Sequence, residues 1–113
     1  MYAHPPRMAS VLDLPPSDRP RERLRAQSVR AALAAGERLE ARNASASAAT
    51  LYQRALDAHP TAENLCRRLL ACLRADGKSA DAKAVFAQWE RTLKVVYGAV
   101  PSPALAAMLE RIR

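Results

Sequence analysis

A small residue followed four positions later by an aromatic residue occurs twice in this chain, and the two occurrences lie 34 residues apart. The first is Ala48 with Tyr52, and the second is Ala82 with Phe86. Further pairs at the same spacing are all apolar or glycine: Ala32 and Cys66, Ala35 and Leu69, Gly36 and Leu70, Leu39 and Leu73, and Ala55 and Trp89. One apolar pattern therefore repeats at a fixed period, and any fold must bury it twice in the same way.

A period of this length, divided between two amphipathic helices, is typical of the tetratricopeptide repeat. The small residues Ala48 and Ala82 let the second helix of each pair approach the first closely, and the aromatic residue one turn later fills the space beside the next pair. Neither hairpin can bury its apolar stripe alone, so the two must stack. The sequence thus predicts an all-α fold, a tetratricopeptide-like right-handed helical-hairpin stack of about five helices.

The helix boundaries are marked by residues that stop or cap helices. Helical periodicity starts at Arg21, and the second helix ends at His59 because Pro60 excludes the helical conformation from the residue before it. Gly77 stands just beyond the C-cap of the third helix, where a positive φ is needed, and Gly98 is predicted to stop the fourth helix. Short polar side chains accept hydrogen bonds from the first free N–H groups of a helix. The predicted N-caps are Asn43 or Ser45, Thr61, Ser79 and Ser102.

The fourth helix carries the longest apolar stripe. Its members recur at steps of three and four residues and are predicted to lie in the core: Ala82, Val85, Phe86, Trp89, Leu93, Val96 and Tyr97. Lys94 occupies the position where the repeat usually has proline, so this helix is expected to run past the usual stop. Cys66 and Cys72 point in different directions from the third helix and are predicted to be free core thiols, with no disulfide and no zinc site.

Proline divides the chain into two parts. Five of the eight prolines lie in residues 1–20, which we interpret as a Pro-rich linker or disordered N-terminus, whereas residues 21–113 form the tetratricopeptide-like helical domain. The chain has no apolar run of the about 18 residues that a membrane helix needs, and its N-terminus lacks the apolar core of a secretory signal. We therefore expect no membrane segment and a cytoplasmic location.

The charged residues and the histidines limit which classes of partner and which reactions are possible. The formal net charge is +7, from 18 Lys and Arg and 11 Asp and Glu residues, which permits binding to a nucleic acid, an acidic protein or a membrane surface and does not choose among them. The two histidines are His4, ahead of the helices, and His59, beside a proline. No Ser–His–Asp, Cys–His or paired-carboxylate arrangement can be assembled around them. We predict that the chain is not an enzyme and binds no metal or cofactor.

Three stretches carry a closer resemblance. They are RERLRAQ (residues 21–27), LRADGKSADAKAVF (residues 73–86) and YGAVPSPALAAMLERI (residues 97–112), the last with Gly98, Pro101, Ser102 and Pro103 in a turn that leads into a closing helix. Over about residues 20–113 the chain resembles the bacterial transcriptional activation domain of SARP-type activators, a helical module that in the family follows a winged-helix DNA-binding domain. The winged helix and the family's first helical repeat have no counterpart here, so we expect the C-terminal part of such a domain or a short free-standing relative.

The resemblance implies a non-catalytic protein–protein interaction module whose partner belongs to the transcription machinery or is another regulator domain. Tetratricopeptide stacks bind extended or helical segments in a groove lined by the first helix of each hairpin. Mapped by the repeat, that groove contains Arg30, Leu33, Glu37, Glu40, Asn64, Arg67 and Arg74. Ordinary solvated surface on amphipathic helices is the other interpretation of the same residues.

An alternative function is direct nucleic-acid binding by a basic helical protein. Basic residues that can contact phosphates cluster near the start of the first helix: Arg19, Arg21, Arg23, Arg25 and Arg30. Aromatic residues make up only 4% of the chain, which leaves few for base stacking, and no helix-turn-helix or zinc finger is present.

Self-association is a further expectation. If the preceding repeat is missing, the outer face of the first helix, with Val29, Ala32 and Leu33, is partly exposed, and an open end of a helical stack favours a homodimer. The alternative is that residues 8–14, MASVLDL, fold back over that edge.

Overall fold

The computed structural model describes residues 20–111, and every regular element in that range is helical. The elements are α1 (Pro20–Ala41), α2 (Ser45–Ala58), α3 (Glu63–Ala75), α4 (Ser79–Thr92), a π-helical turn (Leu93–Tyr97) and α5 (Pro103–Glu110). This confirms the all-α helical stack. The linker predicted for residues 1–20 lies outside the described residues, apart from Pro20, the first residue of α1.

Each of the helices α1, α2 and α3 packs on the next one along the chain, and α1 also touches α3. The side chains buried between them form one core: Ala48, Tyr52, Leu56, Leu65, Cys66, Leu69, Leu70, Cys72, Leu73, Ala82, Phe86, Trp89, Leu93 and Leu105. Tyr52 and Phe86 are both buried in this core, as are Ala48 and Ala82, so the repeat buries the equivalent residues of both hairpins. Both cysteines are free and buried, as predicted.

The connections inside the two hairpins also repeat. Asn43 and Gly77, 34 residues apart, both adopt a left-handed conformation, with φ of 62° and 74°. The next residue in each case donates its N–H five residues back, from Ala44 to the Leu39 carbonyl and from Lys78 to the Leu73 carbonyl, at 2.8 Å in both. This is the Schellman arrangement that closes a helix. Asn43 therefore ends α1, and the prediction that it caps α2 is wrong.

The predictions of Ser45, Thr61 and Ser79 as N-caps are also wrong, each by one position. The N-cap residues of α2, α3 and α4 are Ala44, Ala62 and Lys78, none with a side-chain cap bond, although Ser45 and Ser79 are the first residues of their helices. In each short connection one residue closes the previous turn through its N–H and opens the next helix through its carbonyl, so the backbone sets the boundary. Ser102 caps α5 as predicted, with its hydroxyl accepting from the Leu105 N–H at 3.2 Å.

The π-helical turn changes the predicted end of the core. The Gly98 N–H reaches the carbonyl of Leu93, five residues back, and Gly98 then leaves the helix with φ of 63°. In a π-helical turn each hydrogen bond spans five residues instead of four, so the chain turns through a smaller angle per residue than in an α-helix. The residues after Leu93 therefore leave the buried stripe. Val96 and Tyr97 are consequently exposed, and their predicted place in the core is wrong.

Candidate partner-binding groove

A groove of about 440 Å³ runs between the first half of α1 and the start of α3. Three predicted site residues line it together: Arg30 and Leu33 from α1, and Asn64 from α3. Val29 and Leu33 are half-buried and pack against the core, and they supply the largest apolar side chains of the lining. Arg30 and Asn64 are exposed at its edge. The groove therefore combines an apolar floor with polar and charged groups that remain in contact with water.

Glu63 links this groove to the closing helix. Its carboxylate accepts hydrogen bonds from both the backbone N–H, at 3.2 Å, and the hydroxyl of Ser102, which is also the N-cap of α5. Arg67, one turn further along α3, forms an ion pair with the same carboxylate at 3.6 Å. The predicted site residue Arg67 is thus held beside the groove, and Glu63 fixes the start of α5 against the start of α3.

A second polar cluster lies further along the same two helices. The Arg68 guanidinium of α3 donates to Glu40 of α1 at 2.8 Å and lies 3.9 Å from the Glu37 carboxylate. Tyr52 of α2 donates its hydroxyl to Glu40 at 2.5 Å. Burial, and then the hydrogen bond to Glu40, raise the pKa of Tyr52 to about 12, so its hydroxyl stays protonated and donates. The predicted site residues Glu37 and Glu40 therefore join α1 to α3 through Arg68.

Gly36 is the residue that brings α1 and α2 close enough for this cluster. A Cβ at Gly36 would lie 2.6 Å from the Tyr52 hydroxyl oxygen and closer still to two ring carbons. Tyr52 is fully buried, and its hydroxyl is bonded to Glu40, so a movement of the ring would disturb the core and this hydrogen bond. The missing side chain of Gly36 therefore lets the Tyr52 hydroxyl reach α1.

Arg74 stands apart from the other predicted site residues. It is exposed in the last turn of α3 and forms no ion pair within residues 20–111. A cation there is favoured by the partial negative charge of the helix end. The structure thus brings Arg30, Leu33 and Asn64 into one groove, holds Arg67 beside it, and leaves Arg74 at the far end of α3.

The sequence interpretation did not include Arg68, Glu63 or Ser102 in this surface. Arg68 and Glu63 have no polar counterpart 34 residues earlier, where the chain has Ala34 and Val29, so mapping by the repeat cannot find them. One usable signal was the hydroxyl of Tyr52, because a buried tyrosine nearly always has a hydrogen-bond partner.

The geometry of the described part of the chain also bears on three other kinds of site: a metal cluster, a reactive thiol and a membrane-spanning helix. Residues 20–111 contain no cluster of three or more His, Cys, Asp or Glu side chains that could hold a metal ion. Burial raises the pKa of Cys66 to about 12, so its thiol is protonated at neutral pH and a weak nucleophile. None of the described helices has the length and apolar character needed to cross a bilayer.

Comparison with known proteins agrees with this architecture. The family model described as the bacterial transcriptional activator domain (BTAD) matches residues 5–113, a range that begins well ahead of residue 20, where the resemblance was expected to start. No curated protein and no solved structure matches the chain. This match covers nearly the whole chain, and that coverage assigns the family. The helical-hairpin stack, with its closing turn held at Ser102, agrees with the assignment. The chain belongs to the bacterial transcriptional activator domain family.

Proposed function

We propose that this chain is a non-catalytic protein-interaction module of bacterial transcriptional control, and that it binds a segment of a partner protein in the groove between α1 and α3. The family supports the connection to transcription. The proposed partner is a component of the transcription machinery or another regulator domain, and the proposed location that goes with it is the cytoplasm. The observation that carries the proposal is the groove itself, which joins half-buried Val29 and Leu33 to the exposed Arg30 and Asn64.

The charges of the groove favour a partner with acidic residues. Two nearby arginines already have carboxylate partners, since Arg25 in the lining pairs with Glu22 at 3.5 Å and Arg67 beside the groove pairs with Glu63. Arg30 has no ion pair within the described residues and is exposed at the groove edge. An acidic side chain of the partner would pair with Arg30, and an apolar side chain of the partner would cover Leu33, as in other helix-in-groove complexes.

The test is binding to RNA polymerase purified from the same bacterium, measured with the full chain. We expect Arg30→Glu to weaken binding about tenfold, and Arg67→Glu to weaken it as well, because the first reverses a charge in the groove lining and the second reverses a charge beside it. Arg54→Glu, on the exposed face of α2, is the matched control and should leave binding unchanged. Circular dichroism should show the same helical content in all variants.

The outcomes separate the possible errors. Unchanged binding by the folded groove variants would show that the groove assignment is wrong, even if the chain binds the polymerase. Absence of binding by the unmodified chain would show that RNA polymerase is not the partner. Binding to a DNA fragment that weakens steeply with added salt would instead favour the nucleic-acid alternative, because phosphate contacts depend strongly on salt.

A further inference from the structure

A cluster of exposed apolar side chains lies where α4 ends. Val95, Val96, Tyr97 and Val100 have exposed fractions of 77%, 64%, 49% and 79%. Among the other described residues, only Leu24 is a large hydrophobic side chain with comparable exposure. Contiguous exposed apolar side chains on a soluble domain commonly mark an interaction site. We call these four residues the C-terminal patch.

The backbone explains why these residues are exposed. The π-helical turn at Leu93–Tyr97 rotates the chain off the buried stripe, and Leu93 remains as the last core residue of the segment. After Gly98 the chain leaves the helix and returns to Glu63, where Ser102 starts α5. Leu105 of α5 is buried in the core, so α5 packs there and leaves the patch uncovered. π-Helical turns are rare and often occur at functional sites.

Basic residues lie directly beside the patch. A groove of about 520 Å³ is lined by Ala87, Glu90, Arg91, Lys94, Ala99 and Val100. Arg91 and Lys94 are exposed and form no ion pair within residues 20–111, and Glu90 supplies the one acidic group of the lining. The apolar surface is therefore bordered by two unpaired cations that can pair with carboxylates.

We propose that the C-terminal patch, with Arg91 and Lys94, docks an acidic amphipathic helix of a partner protein. The apolar face of that helix packs on Val95, Val96 and Val100, and its Asp or Glu side chains pair with Arg91 and Lys94. A second copy of this chain fits less well, because it carries the same two cations and a net charge of +7. An anionic membrane surface also fits less well, because recognition of such surfaces typically uses a cluster of about four to eight basic residues. This surface is separate from the groove between α1 and α3.

The experiment uses the full chain and a fluorescently labelled synthetic peptide of about 18 residues, long enough to form an isolated helix. The peptide has leucine on one helical face and glutamate on the other, and the control peptide has lysine in place of glutamate. We expect the acidic peptide to bind, and Val95→Ser with Val100→Ser to weaken binding about tenfold. Arg91→Glu with Lys94→Glu should weaken it by a similar factor, because it reverses both charges.

Two controls make the result specific to this surface. Arg54→Glu, on the exposed face of α2, should bind the acidic peptide as the unmodified chain does. Amide chemical shifts on peptide binding should change mainly between residues 90 and 100. Because the substituted side chains are exposed, far-UV circular dichroism should be unchanged in every variant.

Three results would overturn the proposal. The first is equal affinity of the folded patch variants and the unmodified chain. The second is tighter binding of the lysine peptide, or of vesicles of anionic lipid, than of the acidic peptide. The third is a homodimer that the patch substitutions dissociate, which would identify a second copy as the occupant.

Discussion

The two helical hairpins of this chain share one apolar pattern and yet are buried to very different extents. In α1 only Gly36 is fully buried, whereas α3 buries Leu65, Cys66, Leu69, Leu70, Cys72 and Leu73. The reason is position in the stack, since α3 packs against both α2 and α4 while α1 packs on α2 and touches α3. The repeat therefore determines which side chains face inward, and the number of neighbours determines how far they are buried.

The hairpins also fill their interiors differently. In the first, Gly36 lets Tyr52 approach α1, and the Tyr52 hydroxyl joins Glu40 and Arg68 in a polar cluster. In the second, Leu70 stands at the position of Gly36 and is fully buried. Phe86 stands at the position of Tyr52 and packs beside Trp89, with ring centroids 6.1 Å apart. The first hairpin thus combines close approach with polar contacts, and the second relies on larger apolar side chains.

The largest expected effect is that of Leu73→Ala, which is to be compared with Leu39→Ala. The two leucines are equivalent in the repeat. The backbone carbonyl of each accepts the 2.8 Å Schellman bond that closes its helix, so the two substitutions should affect the helix ends equally. Leu73 is buried, whereas Leu39 is only partly buried. We expect Leu73→Ala to lower the free energy of unfolding by about 3 kcal/mol and Leu39→Ala by roughly half as much, measured by urea denaturation. Equal losses would mean that α1 is as enclosed as α3.

Gly36→Ala should give the next largest effect. Alanine favours helix over glycine by about 1 kcal/mol, but the added Cβ collides with the buried Tyr52 ring. Overpacking outweighs propensity at such a site, so we expect a net loss of about 2 kcal/mol in the free energy of unfolding. In a Tyr52→Leu background the same change should be neutral or stabilising. A loss that persists in that background would rule out the ring as the cause.

Ser102→Ala tests how the closing helix is attached. The substitution removes the N-cap of α5 and the hydroxyl bond to Glu63, and we expect a loss of about 1 to 2 kcal/mol. Protease cleavage between residues 98 and 103 should become faster, as measured by limited proteolysis. Glu63→Gln, which keeps the shape but removes the charge, should cause a smaller change. An unchanged cleavage rate in Ser102→Ala would show that the cap does not hold α5.

Tyr52→Phe should have the smallest effect at neutral pH, about 1 kcal/mol, from loss of the bond to Glu40. The pKa of Tyr52 is raised from 10.0 to about 12 in the folded chain. Above pH 10 the unfolded chain therefore loses this proton before the folded chain does, and the free energy of unfolding falls between pH 10 and 12.

The Tyr52→Phe variant should lose that part of the alkaline decline in stability. A decline should remain from Cys66, whose pKa rises from 9.0 to about 12 through burial and the nearby Glu63. Urea denaturation at a series of pH values measures both contributions. Identical pH profiles for Tyr52→Phe and the unmodified chain would contradict the assigned role of the hydroxyl.

Much of the fold could be predicted from sequence because its signals are local. The apolar period and stop signals such as Pro60, Gly77 and Gly98 are visible in the residue order, and they located the helices. The caps were less predictable, since at Ala44 and Lys78 backbone bonds set the boundary without a side chain. These boundaries depend on the turn that closes the preceding helix.

The features missed from sequence depend on contacts between distant residues or on unusual backbone. Arg68 meets Glu40 across 28 positions, and Ser102 meets Glu63 across 39, with no repeated spacing to indicate either pair. The exposure of Val96 and Tyr97 follows from a π-helical turn that an α-helical period cannot represent. The groove residues Arg30, Leu33 and Asn64 were accessible to prediction because they follow the repeat.

Hydrogen exchange of the backbone amides measures the difference between α1 and α3 most directly. Amides within residues 65–73 of α3 should exchange only on global unfolding, because that helix is enclosed by neighbours. Amides within residues 29–40 of α1 should exchange at least about tenfold faster in the free chain, because α1 can open while the rest stays folded. Equal protection of the two helices would contradict an open first helix beside the proposed groove.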